Sequence, residues 1–463
     1  MSYNADDTII ALSTPPGSGA IAVLRLSGNG AFELINKVFR SASGKDFSTF
    51  KSHTLHFGSI YENDELLDEV VISLFNNPNS FTGEDVVEIS CHGSAYIQQR
   101  LFQLFIKQGA RVAKPGEYTM RAFMNGRMDL SQAEAVADLV ASSSEAAHRI
   151  ALQQMRGGFS GEIKELREQL IHFASLIELE LDFSEEDVQF ANREELKALV
   201  SNLIAHISHL SNSFALGNVI KNGIPVAIAG EPNAGKSTLL NILLNEERAI
   251  VSDIPGTTRD TIEDEITLEG IRFRFIDTAG IRETSDKIES LGINRTFEKI
   301  NTSAIVILLF DATLSDAAKL DAAIKAVKEK TGESTKVLIV ANKSDLGNET
   351  ELRAKFNNRE DLIFISAKQK QNIEGLKAKL LEFANAGLLH SNQTIVTNVR
   401  HFEALNNANV ALKNVYSGIE KKITGELLAV EIRRALYHLS EILGQVTTED
   451  LLGSIFSRFC IGK

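Results

Sequence analysis

The chain has no tryptophan, two cysteines (Cys91 and Cys460) and seven prolines in 463 residues. Two cysteines make no disulfide framework, and a reducing, cytoplasmic compartment fits that usage. Long apolar runs are missing too. The strongest, Ala304 to Phe310, is far too short to span a bilayer, so no membrane association is expected. The opening MSYNADDTII carries acidic residues and no apolar core, unlike a signal peptide. Positive charge is in deficit, with 48 Lys+Arg against 61 Asp+Glu and a formal net charge of −13. That balance argues against a general coat for nucleic-acid phosphates. Cys91-His92 supplies two soft ligands where a tetrahedral site needs four, so Cys91 reads as structural. What is present suffices for real cores: 43% apolar residues and 25 phenylalanines. At roughly 150 residues per domain, the length suggests three domains.

Four textures follow one another along the chain. Up to about residue 125 it reads as mixed α/β, with strands at Ala20–Leu26, Val70–Phe75 and Asp85–Ser90 and a helix at Ser94–Gln108. From Leu130 to Ser213 proline is absent. Ile163, Leu166, Leu170, Phe173, Ile177 and Leu181 recur at three- and four-residue spacing, the stripe of an amphipathic helix. From residue 222 to 385, strands (Ile224–Ala229, Ala304–Phe310, Val337–Ala341, Asp361–Ser366) alternate with helices, which predicts a mostly parallel sheet covered on both faces. A hairpin is expected around Glu269-Gly270. From 386 onward the pattern is helical again. The economical arrangement is one helical bundle assembled from 126–221 and 386–463, with 222–385 inserted; two separate helical domains are the alternative.

The inserted segment carries the chemistry. Gly230-Glu231-Pro232-Asn233-Ala234-Gly235-Lys236-Ser237 fits GxxxxGK[ST], after a buried strand and before a helix beginning near Thr238. Its amides and the helix N-terminus suit phosphate charge. Lys236 would reach the β- and γ-phosphates and Ser237 would ligate Mg²⁺. Asp277-Thr278-Ala279-Gly280 follows the next strand, and Thr257-Thr258 form a switch threonine pair. Asn342-Lys343-Ser344-Asp345 places a carboxylate where guanine offers two donors and adenine does not. Ser366-Ala367-Lys368 would complete the base pocket. In this order the four motifs predict a GTP site. Ile281 stands where Ras-like proteins carry a water-positioning glutamine. Asn233 and the Ser252-Asp253-Ile254-Pro255-Gly256-Thr257 carbonyls could hold a monovalent cation there instead.

The whole pattern resembles the MnmE (TrmE) family of tRNA-modification GTPases, over essentially all 463 residues. The resemblance rests on PNSFTGED at Pro78–Asp85, PGEY at Pro115–Tyr118, RAF at Arg121–Phe123, DLSQAEA at Asp129–Ala135, GTTRD at Gly256–Asp260 and FCIGK at Phe459–Lys463. It implies an N-terminal α/β domain (1–125) that binds a folate and dimerises. It also implies an α-helical bundle domain (126–221 with 386–463) and an inserted Ras-like α/β P-loop GTPase domain (222–385). The family works as a homodimer with an FAD-dependent partner, MnmG (GidA), in a heterotetramer or larger complex. Together they add an aminomethyl or carboxymethylaminomethyl group to C5 of the tRNA wobble uridine, using GTP, K⁺, Mg²⁺ and a 5-formyl- or methylene-tetrahydrofolate. Carried over, K⁺ would sit on Asn233, Ser252, Ile254 and Thr257, and Mg²⁺ on Ser237 and Thr258. Glu289 would orient water through a second water, and Arg25, Glu88, Arg127 and Lys463 would bind folate. Arg127 departs from the family's lysine, keeping charge with altered geometry. Cys460 reads either as a reactive catalytic thiol or as a small buried residue at a helix end. A GTP-gated switch acting on RNA or ribosomes without modification chemistry stays open from sequence. With net charge −13 the chain alone is expected to bind tRNA weakly, and more tightly with its partner.

Overall fold

The computed structural model describes residues 7–182, 193–247, 264–276, 303–329, 331, 335–385 and 394–462. The chain divides into two compact units. One comprises Met1–Ala141, Ala151–Ser208 and Glu403–Lys463; the other comprises Ser142–Ile150 and His209–Phe402.

The first unit opens with a sheet built from β1 (Ile9–Leu12), β2 (Ile21–Ser27), β3 (Phe39–Ser41), β4 (Thr54–Glu62), β5 (Glu65–Phe75), β6 (Val86–His92) and β7 (Arg111–Val112). Their order is β3-β4-β5-β6-β2-β1-β7. Neighbours are antiparallel except β1 with β7. Helices α1 (Ala31–Val38) and α2 (Ala95–Lys107) belong to the same core, where Leu24, Leu26, Ile35, Val87, Ile89, Leu101 and Phe105 are buried. Alternation along β2 then turns Arg25 to the other face. On that face Leu55 and Phe57 of β4 stay 69% and 54% exposed. Asn63 and Asp64 join β4 to β5 with φ of 48° and 66°, the left-handed pair that a two-residue hairpin requires. Helices α3 (Glu117–Met124), α4 (Leu130–Ala141) and α6 (Gly158–Asp182) follow, while α5 (Glu145–Met155) and α7 (Arg193–Asn212) are each divided between the two units.

The second unit contains α8 (Phe214–Asn222), β8 (Ile224–Ala229), α9 (Lys236–Glu247), β9 (Asp264–Leu268), β10 (Ile271–Phe275) and β11 (Ile305–Asp311). After these come α10 (Ala317–Lys328), β12 (Lys336–Asn342), α11 (Glu349–Lys355), β13 (Leu362–Phe364) and α12 (Ile373–Asn385). The sheet order is β13-β12-β11-β8-β10-β9, parallel except for the β9–β10 hairpin. Apolar residues on both faces of the parallel strands are buried in two separate clusters, as the near-continuous hydrophobic strands require. Glu269 and Gly270 turn the hairpin with φ of 46° and 78°. β13 is shorter than the expected Asp361–Ser366 because Ser366 leaves the ladder to bridge Gln371. This unit also joins its own two ends. The Val396 amide donates to Ser213 Oγ at 3.0 Å, and the Phe214 and Phe402 rings stack at 4.4 Å.

Three more helices, α13 (Val399–Glu420), α14 (Gly425–Leu443) and α15 (Glu449–Phe456), complete the described chain. Within the first unit α14 covers α6. Ile163, Leu166, Leu170 and Ile177 are buried, and Arg167 Nε donates to Ser440 Oγ at 2.9 Å across 273 positions. Phe173 is half-buried. Among the described residues, no helix is long and apolar enough to cross a membrane.

Candidate functional site

In the second unit, three loops at the C-terminal ends of parallel strands come together, where open α/β sheets place their ligands. The loop after β8 runs from Gly230 to Gly235, and α9 starts at Lys236. Two glycines are forced by close approach. Gly230 has φ 153°, and a Cβ there would meet the Leu309 carbonyl oxygen at 1.9 Å. Gly235 has φ 97°, and its Cβ would meet Asn342 Nδ2 at 2.2 Å. Asn233 is left-handed (φ 61°) and exposed. Lys236 Nζ donates to the Gly230 and Glu231 carbonyls at 2.8 and 3.0 Å. Ser237 is half-buried and Thr238 exposed on the first turn of α9.

Asn342 is the hub of this arrangement. Its Nδ2 donates to the Ala234 carbonyl at 2.8 Å, and its Oδ1 accepts from the Ala367 amide at 2.9 Å. One buried amide side chain therefore fixes the phosphate loop to the loop carrying Ser366, Ala367 and Lys368. Ser366 is fully buried and accepts from the Gln369 amide at 3.1 Å, while Lys368 is exposed. Asp345 lies exposed on a short turn, Ser344–Leu346, tied down by Ser344 N–H to the Ile365 carbonyl at 3.1 Å. Lys343 has φ 65°, and its Nζ pairs with Asp311 Oδ2 at 2.7 Å. The motifs did not single out Asp311. Its signal was a carboxylate closing an otherwise wholly apolar strand. Burial raises its pKa, but Lys343 and Thr313 more than offset this and hold it below the usual carboxylate range. Ser252, Asp253, Ile254, Pro255, Gly256, Thr257, Thr258, Asp277, Thr278, Ala279, Gly280 and Glu289 lie outside the described residues.

In the first unit, Arg25 and Glu88 face each other in β2–β6 register. Arg25 Nη2 and Nε donate to Glu88 Oε1 at 2.6 and 2.9 Å. The Phe81 and Tyr118 rings lie 5.7 and 5.6 Å from the guanidinium, and the Tyr118 hydroxyl donates to the Arg25 carbonyl at 2.6 Å. Gly83, two residues beyond Phe81, lies so close to Arg127 that a Cβ would meet its Cγ at 3.2 Å. The 81–83 loop thus touches Arg25 through the Phe81 ring and Arg127 through Gly83, with the Arg127 side chain exposed. The C-terminal tail reaches the same sheet. Its Gly462 contacts Leu12 and Ser13, and Leu12 is one residue beyond Ala11, the register partner of Arg25. Phe456 and Phe459 are buried with Leu130 and Ala133. Cys460 is exposed, which rules out the buried-apolar reading, and its carbonyl accepts from the Gly116 amide at 3.4 Å. Lys463 lies outside the described residues. Cys91 is buried, with its thiol 3.4 Å from the Ala22 carbonyl; burial, reinforced by Asp68, pushes its pKa up to about 11.

Beneath this site lies a buried ionic network that sequence reasoning did not find. Arg121 is fully buried. It pairs with Asp7, with both oxygens of Glu84 at 3.1 Å and with Glu117 at 3.3 Å. Arg111 joins Asp7 at 2.7 Å and Glu117 at 2.5 Å. Ser27 Oγ donates to Glu84 at 2.7 Å. Burial raises the Asp7 and Glu117 carboxyls, yet the arginines hold both below the ordinary range. The PNSFTGED, PGEY and RAF segments thus meet in one charge cluster that anchors the 81–85 loop.

The chain matches two family models: "GTP-binding protein TrmE N-terminus" over residues 8–127 and "MnmE helical domain" over residues 130–460. It is 56% identical over 459 residues to the tRNA modification GTPase MnmE of Flavobacterium psychrophilum, covering 99% of each chain. To the same-named proteins of Flavobacterium johnsoniae and Cytophaga hutchinsonii it is 56% and 55% identical, over 99% of this chain and 99% and 98% of theirs. It is also similar to the solved G domain of the T. maritima FeoB iron transporter, at 24% identity over 35% of this chain and 98% of that chain. The TM-score of 0.25 is too low to argue from. The chain belongs to the MnmE family of tRNA modification GTPases and is itself a GTP-binding, GTP-hydrolysing enzyme.

Proposed function

We propose that this enzyme couples K⁺-dependent GTP hydrolysis to modification at C5 of the tRNA wobble uridine, together with the FAD-dependent protein MnmG. The added group is aminomethyl or carboxymethylaminomethyl. The observation that carries the GTP part is the Asn342 hub, which holds a phosphate loop and a base loop in fixed relation at the end of a parallel sheet. Asp345 takes the guanine edge, and Lys236 meets the β- and γ-phosphates. Ser237, on the first turn of α9, suits Mg²⁺ with Thr258 as its companion. Asn233, left-handed and exposed on the loop, suits K⁺ together with Ser252, Ile254 and Thr257. A monovalent cation there supplies positive charge beside the transferred phosphoryl group. Glu289 orients the attacking water.

The Arg25–Glu88 pair supports the folate part. A carboxylate and a guanidinium flanked by two aromatic rings fit a flat heteroaromatic ligand with a donor edge and an anionic tail. Arg127 and Lys463 add positive charge for the tail, and Cys460 is exposed on the C-terminal segment that reaches the same sheet. Exposed Leu55 and Phe57 on the outward face support association with a second copy of the chain.

The test combines two measurements. GTP turnover is compared in potassium and sodium buffers, with and without MnmG, and wobble-uridine mass is read in tRNA from cells lacking this protein. Faster turnover in potassium and loss of the C5 group are expected. Equal turnover would remove the potassium role, and an unchanged wobble mass would overturn the modification role.

A further inference from the structure

We propose that Asp311 is a positioning residue for the guanine base, acting through Lys343. The inference rests on the reading of Asp345 as the residue that takes the base edge. Asp311 closes β11, whose other six residues are apolar and buried, and it stands opposite Asn342 in the β11–β12 register. A carboxylate in that position needs partners, and among the described residues it has three donors. Its Oδ1 accepts from the Thr313 amide at 2.9 Å and the Thr313 hydroxyl at 2.6 Å. Those two bonds are local and form whatever Lys343 does. They leave Oδ2 for Lys343 Nζ, at 2.7 Å. The loop bearing this carboxylate is itself pinned, because Lys355 Nζ donates to the Ala312 and Thr313 carbonyls at 3.2 and 3.0 Å.

Lys343 lies in sequence between Asn342, which fixes the phosphate loop, and Asp345. Its backbone is left-handed at φ 65°, a conformation that costs a residue with a Cβ and that persists where neighbours enforce it. An untethered ammonium beside a triphosphate would swing toward the phosphate oxygens. Pairing with Asp311 neutralises it in place. The four-carbon stem is then held as an apolar surface next to the turn that carries Asp345. Asp311 touches no substrate in this scheme; it sets where Lys343 stands.

The test uses full-length protein and steady-state GTP hydrolysis. Asp311→Asn keeps acceptance from Thr313 and loses the charge for Lys343. Lys343→Met keeps the stem and loses the ammonium. Each single variant should raise KM for GTP about tenfold with kcat changed less than about twofold. The double variant should show a KM no higher than Lys343→Met alone, because the carboxylate has nothing left to hold. Multiplying effects in the double variant, or a Asp311→Asn defect confined to kcat, would overturn the proposal. If Asp311→Asn does not accumulate as folded protein, Asp311→Glu replaces it, with the same requirement that its KM effect vanish beside Lys343→Met. Asp345→Asn is measured in parallel with guanine and xanthine nucleotides. If it does not shift preference toward xanthine, the base-site reading itself fails and the inference with it. A shift accompanied by multiplying Asp311 and Lys343 effects sinks only the inference.

Discussion

Replacing Arg121 by methionine should unfasten the first unit around its sheet. The side chain is fully buried and faces Asp7, Glu84 and Glu117, with Arg111 as the second cation of the cluster. Methionine fills much of the volume, so the loss is mainly electrostatic. Removing one partner of a buried ion pair costs ~3–5 kcal/mol, because the charges left behind are neither solvated nor paired. We expect ~4 kcal/mol here, a large share of a domain's usual stability. A chain of several domains does not unfold in one step, so hydrogen exchange of peptides from β1, β2 and β6 is the fitting assay. Protection lowered by less than ~1 kcal/mol, the level of an exposed pair, would refute the reasoning. The pH response gives a second check. In the parent protein Asp7 and Glu117 have lowered folded-state pKa values. Their contribution is therefore present above the ordinary carboxylate range and fades as pH falls through their folded values. In Arg121→Met, Asp7 and Glu117 keep Arg111 alone among the cluster's arginines, so their carboxyls are held less far below the ordinary range. Acidification through the carboxylate range should then cost the variant less stability than it costs the parent.

Gly235→Ala should cut GDP affinity by about tenfold to hundredfold, since φ strain of ~1–3 kcal/mol adds to a collision with the Asn342 side chain. A GDP titration checks this, and unchanged affinity would mean that the loop is not held as described. Thiol labelling should be one-sided. At pH 8 exposed Cys460 reacts with maleimide in the native protein, whereas buried Cys91, raised to about 11, reacts only after denaturation. Peptide mass analysis reads both positions, and native labelling at Cys91 ahead of Cys460 would contradict the burial.

The sequence was most legible where function and fold coincide locally. The phosphate loop, the 342–345 turn and the 366–368 turn each sit at the end of a short apolar strand, so motif and strand identify each other. The α6 stripe was equally plain, because one helix carries the whole signal. The N-terminal sheet was only half visible. β4 went unseen because Leu55 and Phe57 alternate toward the exposed face, opposite to the pattern of a half-buried strand. β1 and β7 have four and two residues; β1 is defined by its pairing with β2, and β7 by its pairing with β1 at the sheet edge. The charge cluster was invisible for a different reason. Arg121 and Asp7 are 114 positions apart, and each alone reads as a solvated surface residue. Only tertiary pairing turns them into a core. Asp311 escaped in the same way, since its meaning lies in Lys343, just past the end of β12.

The junction formed by Ser213 with Val396 and Phe214 with Phe402 bears on how the chain assembles. Arg167 and Ser440 are separated by 273 positions, and closing so long a flexible loop costs about 5 kcal/mol in chain entropy. Once the second unit has drawn its own termini together, α6 and α14 search as though joined by about 90 residues, the 273 positions less the 183 between Ser213 and Val396. That shortening saves only about 1 kcal/mol at equilibrium, but it orders events in time. The nucleotide-binding half should mature first and act as a clasp, after which the flanking helices find one another.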